Sequence, residues 1–342
     1  MLAAVLKGFN QLVLEDVPRP EPGPGEVLVR IKSCGICATD YKAIKGIRTN
    51  VEFPLIPGHE PAGIIAAVGP YVNNVKEGDH VIISPSGFCG QCRNCRLGLT
   101  HYCEHAYTTG GDGAAVRPGS FAEYTLTGAN AVFPKPAGLS FDAACQTEPL
   151  SGAWKGLIHY SEMSLGDDVV VIGTGGIGMY CLMVAKAAGA GRLIAVDISD
   201  YALKVAKELG ATHTLNPARE DVKTALYEIM PQGPDLVLEA AGPIQAVKLM
   251  VSLLRRGTRW NIFGITTHEE FALDGGLMHF LEARMDSSFS TNPLAIMNAI
   301  RLMERGLVNP EKVISHRYPL TEIHAAIETM GLPERNKVII NP

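Results

Sequence analysis

Residues Asp168–Ala187 read DVVVIGTGGIGMYCLMVAKA: a short apolar run, Val169–Ile172, enters a cluster of glycines and then a helix-length segment. Gly173, Gly175 and Gly178 stand in the spacing G-x-G-x-x-G. Each has a physical task in such a unit: a tight turn at Gly173, close approach of a pyrophosphate at Gly175, and close helix–strand packing at Gly178. Gly176 and Ile177 lie within this turn, just before the helical run Met179–Ala188, whose exposed N-terminus attracts the anion. The glycines alone also occur in ordinary turns. A second apolar run, Leu193–Val196, sharpens the reading because it ends in Asp197, 19 positions after Gly178. A carboxylate there accepts hydrogen bonds from an adenosine ribose and repels a 2′-phosphate. The following Ile198, Ser199, Asp200 and Tyr201 bring no cation to offset it, so the unit points to NAD over NADP. The other role open to Asp197 is a helix N-cap.

Working outward, apolar runs alternate with helix-length segments from about residue 151 to 291. They lie at Arg192–Asp197, Asp235–Ala240, Thr258–Phe263 and Met285–Phe289, a pattern that predicts a parallel sheet covered by helices on both faces. Ala241, Gly242, Phe263 and Ile265 end or follow the runs Asp235–Ala240 and Thr258–Phe263, where such sheets border a nucleotide. Before residue 151 the texture differs. Val27, Val29 and Ile31 alternate with Arg30 and Lys32 at the strand period, after a Pro/Gly-rich turn, and short strands continue to about Pro136. After residue 292 come helix-like segments at Pro293–Arg305 and Thr321–Met330 and a short apolar strand, Val338–Ile340. The expected class is therefore α/β, one mainly-β domain and one doubly wound parallel-sheet domain.

The chain has 342 residues, enough for two domains. Its 30 Lys plus Arg against 35 Asp plus Glu leave a net charge of −5, without the basic excess of a phosphate-backbone binder, so nucleic acid is not an expected partner. The longest uncharged apolar stretch, Val169–Ala185, carries four glycines and is short for a membrane span, and residues 1–7 lack the features of a secretion signal. The expected location is the cytoplasm, where the 8 cysteines act as thiols or metal ligands rather than a disulfide framework.

Four of those cysteines, Cys89, Cys92, Cys95 and Cys103, follow C-x2-C-x2-C-x7-C in a glycine-containing lobe at about residues 87–105. Four thiolates close a tetrahedral shell around zinc and leave no position for substrate, which predicts a structural ion; a four-iron cluster is the inorganic alternative. Cys34, Cys145 and Cys181 read as buried apolar thiols, and His80, His101 and His105 as loop or surface residues.

A second constellation joins Cys34-Gly35-Ile36-Cys37-Ala38-Thr39-Asp40 to Gly58-His59-Glu60-Pro61-Ala62-Gly63. Together with the cysteine lobe, Gly78-Asp79-His80-Val81, Phe121-Ala122-Glu123-Tyr124, Glu148-Pro149-Leu150 and the glycine fingerprint, all in family order, it resembles the zinc-dependent medium-chain dehydrogenase/reductase family. The resemblance covers essentially the whole chain. It implies a GroES-like catalytic domain, residues 1–150 and 292–342, split around a Rossmann domain, residues 151–291, two zinc ions per subunit and assembly into a homodimer or homotetramer. It also implies that Cys37, His59, Glu60 and Glu148 surround a catalytic zinc, with either carboxylate as the direct ligand. Thr39 would relay the proton of a small-molecule alcohol whose hydride goes to NAD. Glu-Pro-Leu at 148–150 resembles the sorbitol and polyol branch, which makes a polyol, sugar alcohol or hydroxylated acid the expected substrate. L-Threonine 3-dehydrogenase is the nearest alternative, while a zinc-free quinone reductase and a non-catalytic NAD-binding protein are remoter ones.

Two positions depart from the pattern. Lys42 stands five residues after Cys37, where the family commonly has a proton-passing histidine, and Lys155 follows Glu-Pro-Leu where a histidine is frequent. Lys42 would relay the proton passed on by Thr39 only if the site lowered a lysine pKa of about 10.4 toward neutrality. Beyond that, both lysines have two readings: solvated or cofactor-contacting cations, or ligands for an anionic group on the substrate.

Overall fold

The structure, a computed structural model, describes residues 1–111, 115–264 and 270–342. The chain divides into two compact units, Met1–Ser151 with Ser290–Pro342, and Gly152–Phe289. Ile265 lies outside the described residues.

In the first unit a seven-stranded sheet is built on the long strand Glu26–Ile36. It pairs antiparallel with Glu60–Val68, Tyr124–Gly128 and Lys337–Asn341. Val27, Val29 and Ile31 are buried and Arg30 is exposed, but Leu28 between them is buried too, so the strand is covered on both faces at its start. The last residues of the strand, Cys34–Ile36, are all buried because neighbours flank them on both sides. Register then does something the local sequence does not show: Gly35 pairs with Glu60 on one side and with Ile339 on the other, so residues 35, 60 and 337–339 converge. Asp142 fastens the returning segment. Its carboxylate accepts bonds from Ser33 Oγ (2.6 Å), Asn341 Nδ2 (3.0 Å) and Arg317 Nε (2.6 Å).

The second unit is a six-stranded parallel sheet in the order His213–Leu215, Leu193–Val196, Val169–Ile172, Leu236–Glu239, Arg259–Ile262, Arg284–Ser287. The order reverses direction beside Val169–Ile172, the switch point at which such sheets open a ligand crevice. Val169, Val170 and Val171 are fully buried, so the continuous apolar run reflects cover on both faces. The sequence pattern places the last strand at Met285–Phe289, whereas it spans Arg284–Ser287. This is an edge strand with Met285 about half exposed, and an edge does not require an apolar run. The apolar stretch Val169–Ala185 becomes strand, turn and helix; no described helix is long and apolar enough to cross a membrane.

Candidate active site

Cys37 is the N-cap of the short helix Ala38–Ile44, directly after the central strand, and His59 and Glu60 meet it at the start of the neighbouring strand. The ligating atoms of Cys37, His59 and Glu60 lie within 4.8 Å of one another. A thiolate, an imidazole and a carboxylate form a donor set that suits zinc with a coordination position left open. Asp40 organises the group. Its Oδ2 accepts from the Cys37 amide (2.9 Å), the N3 half of a capping box, while Oδ1 accepts from the Gly58 amide (3.1 Å) and lies 3.2 Å from His59 Nδ1. The Nδ1–H···carboxylate contact leaves Nε2 as the ligand atom and fixes the ring. Burial alone would depress the His59 pKa, but the Asp40 carboxylate, helped by Cys37, holds it well above the ordinary histidine value. Thr39 Oγ1 stands 3.5 Å from His59 Nε2, at the same corner.

Glu60 is almost fully buried, and Lys337 Nζ, itself buried, donates to its Oε2 at 2.6 Å and to the Ile36 carbonyl at 3.3 Å. Gly35 provides the space, since a Cβ there would come within 2.2 Å of the same carboxylate oxygen. Asp40 and Lys337 were missed from sequence. Asp40 was legible as a capping-box acid three residues after the N-cap; Lys337 was not, because only strand register brings it to residue 60. Glu148, on the helix Thr147–Trp154, falls outside the 4.8 Å set. Burial pushes its pKa up to about 7, the nearby His59 opposing and Glu60 adding to the rise, so it belongs to the same electrostatic cluster.

The cysteine lobe is local. The sulfurs of Cys89, Cys92, Cys95 and Cys103 also lie within 4.8 Å of one another, with Cys89–Cys95 and Cys92–Cys103 at 4.0 Å. A disulfide has sulfurs about 2.05 Å apart. Four sulfurs about 2.3 Å from one ion would stand about 3.8 Å apart, which fits. Amides of Cys89 and His105 donate to Cys103, and those of Gln91 and Cys92 to Cys89. Amide bonds lower the Cys92 pKa to about 6, while burial and the neighbouring thiols raise Cys95 to about 12. His101 is buried against Tyr102, not on the surface as its loop setting suggested, and Cys34, Cys145 and Cys181 are buried.

In the second unit Gly173 has φ +86° and a Cβ would meet the Ala241 amide at 2.5 Å; at Gly178 it would meet the Gly173 carbonyl at 1.8 Å. Cβ atoms at Gly175 and Gly176 would meet nothing within 4 Å, so the backbone at the start of the helix Gly176–Ala187, which Ile177 continues, is open to an anion. Asp197 accepts from the Thr174 amide (2.7 Å) and the Ser199 amide (2.9 Å). The N-cap of the following helix is Ser199, so Asp197 stands at the strand end and is not that cap. Glu239, unremarked in the sequence, accepts from the Ala241 and Gly242 amides at 2.8 and 2.7 Å and shapes the turn after the fourth strand. Phe263 packs its ring on Gly156.

The lysines part company. Lys42 sits half-buried in the last turn of Ala38–Ile44. Lys155 is fully buried in a π-helical turn, Lys155–Tyr160, where it donates to the Phe289 carbonyl 5.2 Å above the Tyr160 ring. Neither sequence reading of Lys155 describes this setting: the ammonium is buried rather than solvated, and it is directed to the Phe289 carbonyl inside its own unit.

Two family profiles match the chain: the alcohol dehydrogenase GroES-like domain over residues 23–137 and the zinc-binding dehydrogenase over residues 176–305. The L-threonine 3-dehydrogenase of Bacillus velezensis is 32% identical over 100% of this chain and 99% of its own. Among solved structures, the alcohol dehydrogenase of Thermus sp. ATN1 superposes with TM-score 0.94 at 28% identity, covering 100% of this chain and 99% of its own. A zinc-binding dehydrogenase of Sinorhizobium meliloti bound to NADP gives TM-score 0.92 at 29% identity with the same coverage. The chain belongs to the zinc-dependent medium-chain dehydrogenase family. It is an oxidoreductase with a GroES-like domain and a Rossmann domain.

Proposed function

We propose that the protein is a zinc- and NAD-dependent secondary-alcohol dehydrogenase, with a 2-amino-3-hydroxy acid of the L-threonine type as substrate. The observation that carries the reading is the convergence of Cys37, His59 and Glu60 beside Thr39. When bound, zinc supplies Lewis acidity to the substrate hydroxyl and NAD accepts the hydride from the carbinol carbon. The chain's own residues do the rest. Cys37 and His59 Nε2 hold the metal, Asp40 fixes the imidazole, and Glu60, anchored by Lys337, and Glu148 place carboxylates at the ion. Thr39 accepts the hydroxyl proton through its Oγ and passes it toward Lys42. The open backbone at Gly175 and Gly176 takes the pyrophosphate, and Asp197 takes the adenosine ribose, which favours NAD. Cys89, Cys92, Cys95 and Cys103 hold the second zinc.

The 32% identity to an L-threonine 3-dehydrogenase over the full chain supports the amino-acid substrate over the polyol first expected. Glu148-Pro149-Leu150 supports the polyol as second reading. NAD reduction at 340 nm with L-threonine beside sorbitol, xylitol and galactitol decides: activity on none of them removes the proposal, and a preference for the polyols moves it to the second reading. Repeating the assay with NADP tests Asp197, for which the expected preference is NAD. The family's habit of assembly extends the proposal to a homodimer or homotetramer through the edge strand Arg284–Ser287. Exposed Phe280, Met285 and Phe289 lie on or near that edge, and light scattering at monomer mass would refute this part.

A further inference from the structure

The strand Leu236–Glu239 ends in a buried acid that the proposed chemistry does not use. Glu239 has no exposed surface. Its Oε1 accepts from the Ala241 amide (2.8 Å) and the Gly242 amide (2.7 Å), while Oε2 has no hydrogen-bond partner among the described residues. Burial pushes its pKa up, the Gly242 and Ala241 amides oppose the rise, and no charged side chain among the described residues takes part. Burying a carboxylate without a counter-ion costs free energy, and the two amide bonds are what offset it here.

Three turns at this edge of the sheet lean on one another. A Cβ on Gly173 would meet the Ala241 amide at 2.5 Å, and a Cβ on Gly264 would meet both Glu239 Oε2 and the Gly242 amide at 2.5 Å. Gly242 has φ +99°, so its turn is shaped by backbone alone and has no side chain to pin it. The two donors precede Pro243, the N-cap of the helix Ile244–Ser252, so the carboxylate holds the turn and not the helix start. The other side of the crevice is held separately. There the Gly173 amide donates to the Val196 carbonyl (2.8 Å), and Asp197 accepts from the Thr174 and Ser199 amides.

Strand order gives the two supports different halves of the cofactor. With adenosine at Asp197 and pyrophosphate at Gly175 and Gly176, the nicotinamide half runs over the ends of Leu236–Glu239 and Arg259–Ile262, on the opposite side of Val169–Ile172. We infer that Glu239 is a positioning residue for that half: it fixes the Ala241–Gly242 turn and backs Gly264 without itself touching the cofactor. The inference rests on the NAD-dependent reading above.

The test titrates NADH, by its fluorescence, and AMP, by calorimetry, into the zinc-loaded wild type and its variants. AMP carries the adenosine and one phosphate but no nicotinamide half. Glu239→Ala is expected to raise the NADH dissociation constant about 10- to 100-fold, the loss of two bonds to a charged acceptor, and to leave that of AMP within about threefold. Glu239→Gln keeps a carbonyl oxygen on an arm of the same length and is expected to stay within about fivefold of wild type on both ligands. Glu239→Asp keeps the charge on a shorter arm; it is expected to lose NADH as the alanine variant does, and it replaces that variant should alanine prevent folding. Equal weakening of NADH and AMP would reveal a general structural role and overturn the inference. So would unchanged NADH binding in the alanine and aspartate variants, or a glutamine variant no better than either. Wild-type protein that binds no NADH brings down the cofactor reading itself, whereas wild type and variants binding NADH alike remove Glu239 alone.

Discussion

The two donor clusters of the first unit use the same element of design, sulfur beside other donors within 4.8 Å, and assemble it in opposite ways. The lobe draws all four thiols from residues 89–103, holds Cys89 and Cys103 by amide-to-sulfur bonds from residues 89–105, and uses a single donor type. The proposed catalytic cluster collects Cys37 from a helix N-cap and His59 and Glu60 from the entry to the neighbouring strand, has Glu148 on a helix nearby, and is supported by Lys337 almost at the end of the chain. Four thiols from one loop would saturate a bound ion. A set gathered from distant segments mixes donor chemistry, would leave a position open on an ion, and makes the proposed site depend on the whole sheet.

The largest test of that contrast is His59→Ala. Zinc content is expected to fall from two ions to one per subunit by elemental analysis, with kcat reduced by at least about 10³-fold, the order lost with a key electrostatic group. Two retained ions with low activity would break the assignment of His59 as ligand. Lys337→Met probes the long-range support. It leaves the Glu60 carboxylate buried without its counter-charge, and a loss of about 3–5 kcal/mol in unfolding free energy is expected, with Lys337→Arg recovering part of it. A Lys337→Met protein as stable as wild type would show the ion pair to be dispensable.

Cys103→Ser acts on the local cluster. Zinc again falls to one per subunit and the melting temperature drops by several degrees, because ion binding contributes to ordering the lobe, while the remaining folded enzyme keeps its KM for substrate. A raised KM would mean that the two clusters communicate. The smallest effect is expected at Asp142, whose bonds reach Ser33, Arg317 and Asn341. Burial alone would raise its pKa, but those three bonds hold it below the ordinary carboxyl value. Its contribution is therefore present above the unfolded pKa of about 4 and is lost as pH falls through the lower folded value. Asp142→Asn should cost about 1–2 kcal/mol at pH 7, and its melting curve should converge on that of the wild type as pH approaches 3. Parallel curves from pH 3 to 7 would contradict this.

What the sequence by itself determined are features whose causes are local. The glycine spacing after Val169–Ile172 announced the nucleotide turn, because φ +86° at Gly173 and the 1.8 Å approach at Gly178 exclude every other side chain. The C-x2-C-x2-C-x7-C run announced the lobe, because one short loop carries the entire shell. Cys37 and His59 were legible through family resemblance, and Asp40 could have been read from its capping position. Only the tertiary structure decided what depends on sheet register and burial. Lys337 reaches Glu60 because Gly35 pairs with Glu60 on one side and with Ile339 on the other, and no sequence spacing encodes a contact 277 residues long. Lys155 turned inward instead of toward substrate because a π-helical turn carries its ammonium to the Phe289 carbonyl. Local geometry can be written in neighbouring residues, whereas the pairing of distant charges is chosen by whichever packing buries the sheet.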